Sequence, residues 1–328
     1  MIDLTYAFQQ WPYREVFRIS RSAKSNSDLF MVMLRAGDHV GRGECGILDQ
    51  YGHTAGDVSA EFDAAADRLA QGASREEVLA SVGNSSARNA LDCAFWDLEC
   101  KTSGRSIWSL VGLEETASIE CDLTIGINPP VKMHKDALAA AAQGYRILKV
   151  KVGREGIEER VAAVHQAAPG ARLVVDANEA WDLETLKQVA PRLVSLNVAL
   201  IEQPLHHERD AGLNGYRGPI PVCADESCRS VEDLDVIRSR YQAINIKLDK
   251  VGGLSDGLAL ARAAKAAGMG LMLGCHGPTS LGAAPAYLIA SLADFVDLDG
   301  PALLLEDRAA SMTYADGRIF SFTSQLWG

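Results

Sequence analysis

From about residue 119 onward the chain repeats one pattern: a short apolar run, then a stretch with helical periodicity. The runs are IECDLTIGI, YRILKVKVG, RLVVDAN, VALIEQP, IPVCADES, QAINIKLD, GLMLGCHG and DFVDLDG. Alanine- and leucine-rich segments such as KDALAAAAQG, EERVAAVHQAAPG and SDGLALARAAKAAG lie between them. Continuous apolar strands alternating with helices predict parallel β/α units, in which helices cover the sheet and leave no strand face for water. Eight such strands close naturally into a barrel. The eighth run is not followed by a clear helical segment, so the expected fold is α/β, a modified TIM barrel of (β/α)7β form.

The first 110 residues read differently. FMVMLRAG (30–37) followed by DHVGRGEC predicts a hairpin. VSAEFDAAADRLAQG (58–72) and SARNALDCAFWDLECKTSG (86–104) predict helices, the second capped by Ser85 or Ser86 and stopped at Gly104. The tail MTYADGRIFSFTS (312–324) predicts short strands that return to the N-terminal region. The expected division is an α+β capping domain of residues 1–112, joined by the tail 308–328, and a barrel domain of residues 113–307.

Composition narrows the class. The chain has 328 residues, 48% hydrophobic and 23% charged, which suits one large domain with a smaller one. A formal net charge of −11 argues against nucleic acid or an anionic membrane as partner. The seven cysteines are odd in number, form no CxxC and mostly sit among apolar residues, as free thiols in a reducing compartment do. The N-terminus lacks the pattern of a secretory signal, and no apolar run approaches the ~18 residues of a membrane span. The expected location is the cytoplasm. HExxH and P-loop patterns are absent, and the glycine-rich GRGEC and VGGLSDG lack a dinucleotide or Walker pattern.

Charged residues fall at the C-terminal ends of the predicted strands, the active-site face of such a barrel: Lys149 and Lys151, Asp176, Glu202, Asp225, Lys247, and Asp297 with Asp299. Charge repeated there is hard to read as stability, because burying it unpaired is costly. Asp176, Glu202 and Asp225 come from adjacent strands, about one β/α unit apart. Three oxygen ligands, with room left for water and substrate, favour Mg2+, one per subunit. Lys151 and Lys247 flank these carboxylates from opposite sides. Lys149, on the same strand face as Lys151, is the neighbouring ammonium that with the metal would lower a lysine base toward neutrality. Asp297 and Asp299, two apart before Gly-Pro, are expected side by side where the last strand stops. Their repulsion asks for a cation to share.

The set KVK (149–151), DANEAW (176–181), IEQP (201–204), ADES (224–227) and NIKLDKVGG (245–253), in that order, resembles the enolase superfamily, muconate-lactonizing subgroup. The resemblance covers nearly the whole chain, including the capping domain and NALDCAFWDL (89–98). The terminal DLDG (297–300) resembles the dipeptide epimerases within that subgroup, those of the L-Ala-D/L-Glu type. It implies Asp176, Glu202 and Asp225 as Mg2+ ligands, and Lys151 and Lys247 as the acid/base pair with Lys149 in support. It also implies Asp297 and Asp299 as partners of a dipeptide α-ammonium. A charge pair at ~4 Å is worth roughly 4 kcal/mol at an effective dielectric near 20, and would repel a dianionic muconate by a similar order. The implied reaction is Mg2+-dependent epimerisation at the α-carbon of the C-terminal residue. The alternatives within the subgroup are N-acylamino acid racemase, o-succinylbenzoate synthase and muconate cycloisomerase; a sugar-acid dehydratase or a non-catalytic binding barrel ranks below these. A homo-oligomer is implied as well.

Thr124, on the first strand, and Asn178, beside Asp176, are further candidates to touch the substrate or to support a metal ligand. Two stretches depart from the resembled pattern. In RISRSAKSNS (18–27) Lys24 stands where an arginine is expected against a glutamate side chain, with Arg18 and Arg21 nearby. In GCHGPTSLG (274–282) His276 replaces an expected apolar residue. The loop GILDQYGHTAG (46–56) is expected to help close the site through Tyr51 and His53.

Overall fold

The computed structural model describes residues 2–328. Three long antiparallel strands open the chain: β1 (Asp3–Ile19), β2 (Ser22–Ala36) and β3 (His39–Gly46), in spatial order β1-β2-β3. The predicted hairpin is β2–β3, turning at Gly37, whose φ of 58° is left-handed. β1 alternates exposed and half-buried positions, as an edge strand with one face toward solvent does. Helices α1 (Ala55–Ala70), α2 (Arg75–Ser81), α3 (Ser85–Ser103) and α4 (Ile107–Val111) follow. The N-cap of α3 is Asn84, whose side chain accepts from the amide of Ala87 at 3.1 Å, so Ser85 and Ser86 lie inside the helix. Gly104 ends it in the left-handed conformation.

α3 carries NALDCAFWDL and is buried along most of its length, with β3 against it. The approach is so close that a Cβ on Gly43 would stand 1.9 Å from the carbonyl oxygen of Ala90. The glycines of GRGEC therefore serve helix–sheet packing.

The remaining chain builds the parallel sheet. After a short strand β4 (Ser118–Glu120) outside that sheet, its strands are β5 (Leu123–Ile125), β6 (Ile147–Lys151), β7 (Arg172–Asp176), β8 (Val198–Glu202), β9 (Val222–Ala224), β10 (Ala243–Ile246), β11 (Gly270–Leu273) and β12 (Phe295–Val296). Helices α5 (Pro130–Ala142), α6 (Ile157–Ala167), α7 (Leu183–Leu193), α8 (Leu234–Arg240), α9 (Leu248–Val251), α10 (Leu254–Ala266), α11 (Ser280–Ala290) and α12 (Gly300–Leu303) intervene or follow. Strands β5 to β12 form one eight-stranded curled sheet in sequence order. A backbone bond from Asp122 N to Val296 O (2.8 Å) spans the seam between its first and last strands. The first predicted run is thus two strands, with β4 pairing instead to the C-terminal hairpin β13 (Tyr314–Ala315)–β14 (Arg318–Phe320). Beyond that hairpin the tail reaches α3: Trp327 Nε1 donates to Cys93 O (3.1 Å), and Gly328 N to Asp97 Oδ1 (2.8 Å).

One register organises the barrel interior. Ile147, Val174, Leu200, Cys223, Ala243, Met272 and Phe295, one from each of β6 to β12, form a separate apolar plug. Side chains two positions on share a strand face. Two residues after the plug come Lys149, Asp176, Glu202, Asp225, Asn245, Gly274 and Asp297. An apolar floor thus lies beneath a polar ring. All seven cysteines are free thiols, and Cys275 alone of them is partly exposed. No helix among the described residues is long and apolar enough to cross a membrane.

Candidate active site

The polar ring opens into a cavity of about 360 Å³. Its lining includes Lys149, Lys151, Lys247, Thr124, Asn178, Asp297 and Asp299 from the barrel, and Lys24 and Arg21 from the β1–β2 turn region. Asp176, Glu202 and Asp225 lie just beneath, almost wholly buried.

Each of these three carboxylates has one oxygen held from behind. Asp176 Oδ1 accepts from Asn178 N (2.8 Å), Glu202 Oε1 from Asn245 Nδ2 (2.7 Å), and Asp225 Oδ1 from Lys250 Nζ (2.9 Å). The other oxygens meet ammonium groups. Lys151 Nζ is 2.6 Å from Asp176 Oδ2, and Lys247 Nζ is 2.6 Å from Asp225 Oδ2. Lys149 Nζ reaches Glu202 Oε2 (2.7 Å) and Asp176 Oδ2 (3.1 Å). Three buried carboxylates that converge from adjacent strands, each with one oxygen preoriented and the other facing an ammonium, fit a hard divalent cation.

The electrostatics follow from this arrangement. Burial alone would raise Asp176 and Asp225, but Lys151 and Lys149 on the first, and Lys247 and Lys250 on the second, hold both below the usual carboxylate range. Glu202 is pushed up to about 7 by burial and by the charges of Asp176 and Asp225, against Lys149. Burial would lower Lys247, but Asp225, Glu202 and Glu226 together outweigh it, so the ammonium is held above its ordinary value.

Asp297 and Asp299 do converge, though not on a strand: β12 ends at Val296, and both follow it. Asp299 stands at the N-cap position of α12, but its side chain makes no capping hydrogen bond there. Its Oδ2 accepts instead from Thr124 N at 2.6 Å, across the seam. Asp297 Oδ2 takes Lys149 Nζ at 2.7 Å. Asp299 is pushed up to about 7 by burial and Asp297, whereas Lys149 and Lys151 outweigh burial at Asp297 and lower it.

The rim differs in part from expectation. Lys24 lines the cavity and pairs with Asp49 at 3.0 Å. His276 also lines it, with Gln50 Nε2 3.4 Å from its Nε2 and Asp249 Oδ2 3.8 Å from its Nδ1; burial and Lys247 lower its pKa. From the 46–56 loop it is Ile47, Asp49 and Gln50 that line the cavity. Tyr51 packs instead edge-on to His207, and His53 is not among the lining residues. Arg18 stays exposed and away from the cavity, donating to Val16 O. Arg21 bridges Glu179 (3.2 Å) and Glu226 (2.7 Å), tying the turn to the loops after β7 and β9. Sequence reasoning missed Asn245 and Lys250; Asn245 was available from its i, i+2 spacing to Lys247.

Comparison with known families agrees with this geometry. Residues 132–307 match the family described as Enolase C-terminal domain-like, and residues 1–112 match Mandelate racemase / muconate lactonizing enzyme, N-terminal domain. The chain belongs to the mandelate racemase/muconate lactonizing enzyme family. Among its relatives in that family, the L-Ala-D/L-Glu epimerase of Escherichia coli (strain K12) is 37% identical, over 95% of this chain and 97% of that protein. The N-acetyl-D-glutamate racemase of a Pseudoalteromonas species is 44% identical, over 77% of this chain and 79% of that protein. The crystal structure of an enolase family member from Agrobacterium tumefaciens, with homology to dipeptide epimerases and with bound sodium and L-Ala-L-Glu, superposes with a TM-score of 0.96. It is 39% identical and covers 100% of both chains.

Proposed function

We propose that this protein epimerises a dipeptide at the α-carbon of its C-terminal residue, by 1,1-proton transfer between two lysines. The observation that carries the reading is the arrangement of Lys151 and Lys247, on β6 and just after β10, on either side of three buried carboxylates. An α-proton next to a carboxylate is a poor acid, so the residues must stabilise an enediolate as it forms. Asp176, Glu202 and Asp225 would hold Mg2+, which supplies Lewis-acid charge at the substrate carboxylate. Lys149 adds fixed positive charge beside them. One of Lys151 and Lys247 removes the proton and the other delivers one to the opposite face. Asp297 and Asp299 bind the α-ammonium, and Thr124 orients Asp299 through its amide. Asn178 fixes Asp176. Lys24, at the rim, faces the side chain of the epimerised residue. Residues 1–112 with 308–328 act as the cap of this site, and residues 113–307 as its barrel. Free thiols throughout suit the cytoplasm, and family likeness suits a homo-oligomer.

A second reading, racemisation of an N-acylamino acid, is favoured by the 44% identical relative named N-acetyl-D-glutamate racemase. It uses the same lysines and metal but a substrate with no α-ammonium. Comparing kcat/KM for L-Ala-L-Glu and N-acetyl-L-glutamate with Mg2+ tests the choice. Preference for the dipeptide supports the ammonium role of Asp297 and Asp299; preference for the N-acetyl compound rejects it.

A further inference from the structure

The apolar plug has one member from each of β6 to β12 and none from β5. Thr124 pairs in register with Lys149, so Asp122, two residues earlier, stands at the level of Ile147 in the floor. A carboxyl thus occupies the place of an apolar side chain. Asp122 is 0% exposed, and neither of its oxygens has a hydrogen-bond donor among the described residues. One of them lies within 4.8 Å of oxygens of both Asp297 and Asp299. Asp122 does not line the cavity, whereas Thr124, Asp297 and Asp299 do.

Neighbouring bonds sharpen the problem. Lys149 already serves Asp297 Oδ2, and the Thr124 amide serves Asp299 Oδ2. No cation among the described residues is paired with Asp122 itself. An ionised carboxylate without a partner in this position is strongly disfavoured, because nothing replaces its lost hydration. A protonated one has a donor to give, and a carboxylate beside it is the strongest available acceptor. Burial, then Asp297 and Asp299, push Asp122 well above the usual carboxylate range, against Lys149.

We propose that Asp122 is a positioning residue: a neutral acid that donates its proton to Asp297 from below, and so holds the Asp297–Asp299 pair open toward the cation of a substrate. The inference rests on the dipeptide reading. It adds that the pair needs a buried proton, not a third negative charge, to recognise an α-ammonium.

The test compares L-Ala-L-Glu with N-propionyl-L-glutamate, the same skeleton without the ammonium. In the wild-type enzyme the dipeptide should be preferred about 100-fold, the scale of a desolvated charge pair; absence of that preference rejects the dipeptide reading and this inference with it. Given the preference, Asp122→Ala should cut it at least about tenfold by raising KM for the dipeptide. Its kcat and the binding of the propionyl compound should stay within about threefold of wild type. Asp122→Asn, uncharged and still a donor, should restore the preference. Equal loss for both compounds, an Asp122→Ala enzyme of undiminished preference, or an Asn variant as impaired as the Ala variant would each overturn the assignment. Should Asp122→Ala not fold, the Asn variant decides alone: it keeps the preference if a neutral donor suffices, and loses it if the site needs an ionised carboxylate.

Discussion

Lys149 Nζ stands 2.7 Å from Asp297 Oδ2, and the same ammonium stands 2.7 Å from Glu202 Oε2. One buried cation therefore joins the proposed metal carboxylates to the proposed ammonium site. Removing it should disturb both at once. Lys149→Met is expected to lower kcat/KM for the dipeptide by about a thousandfold or more, the scale of losing preorganised charge at an enediolate. Lys149→Arg should recover little, because a planar guanidinium cannot serve carboxylates converging from several strands. Steady-state kinetics with 10% or more of wild-type activity in either variant would contradict this.

Glu202 sets a pH dependence. Its folded value of about 7 lies above the ordinary 4.5. The metal-free fold thus keeps a proton that the unfolded chain has lost. That contribution to stability is complete below about 4.5 and is lost as pH rises through about 7. A metal ligand must be ionised, so Mg2+ competes with this proton. The Kd for Mg2+, measured by calorimetry, should rise roughly tenfold per pH unit below neutrality, and Mg2+ should raise Tm more at pH 8 than at pH 6. A Kd independent of pH would remove Glu202 from the ligand set.

Lys24 is half exposed and paired with Asp49 at 3.0 Å. A pair of that kind gives up its lysine to a substrate carboxylate at little cost. Lys24→Met should raise KM for L-Ala-L-Glu about tenfold while leaving kcat nearly unchanged and improving dipeptides with apolar C-terminal side chains. An unaltered KM ranking across a dipeptide panel would take Lys24 out of substrate recognition.

Arg308 Nη2 lies 2.5 Å from Glu44 Oε2, and the other oxygen of Glu44 accepts from Thr279 N at 2.8 Å. Glu44 belongs to β3 and Thr279 caps α11, so the Glu44 carboxylate fastens the first sheet to the barrel, with Arg308 as its cation. Arg308→Ala leaves the buried carboxylate without its cation and should cost about 3–5 kcal/mol. The urea midpoint reads this; a shift equivalent to less than about 1 kcal/mol would mean that water replaces the guanidinium.

Much of this was legible in the sequence, for a physical reason. The eight runs could be recognised because strands shielded by helices must be apolar throughout. The charges at their ends stood out because nothing in the apolar runs that precede them explains them. The register also carried information that went unread: Asn245 shares a strand face with Lys247, and Asp122 with Thr124. Features fixed by contacts between distant segments were not legible. Nothing local to Arg21 tells that it bridges Glu179 and Glu226. Local preference misplaced the cap of α3 by one or two residues, and it placed Asp297 and Asp299 on a strand that ends before them. Tyr51 and His53 drew attention as aromatic and titratable groups, while the loop presents Asp49 and Gln50 to the cavity.

The most direct test of the two-lysine account is the isotopic content of the first product. Purified enzyme with Mg2+ is given L-Ala-L-Glu in D2O, and the epimer formed in the first few percent of reaction is separated and analysed by mass spectrometry. If Lys151 and Lys247 act on opposite faces, the proton is lost to one lysine and a deuteron arrives from the other. The new epimer then carries deuterium at its α-carbon from the outset, and Lys151→Ala and Lys247→Ala each abolish its formation. An epimer that retains the substrate's own proton, or a single-lysine variant that still inverts at the wild-type rate, would contradict the account.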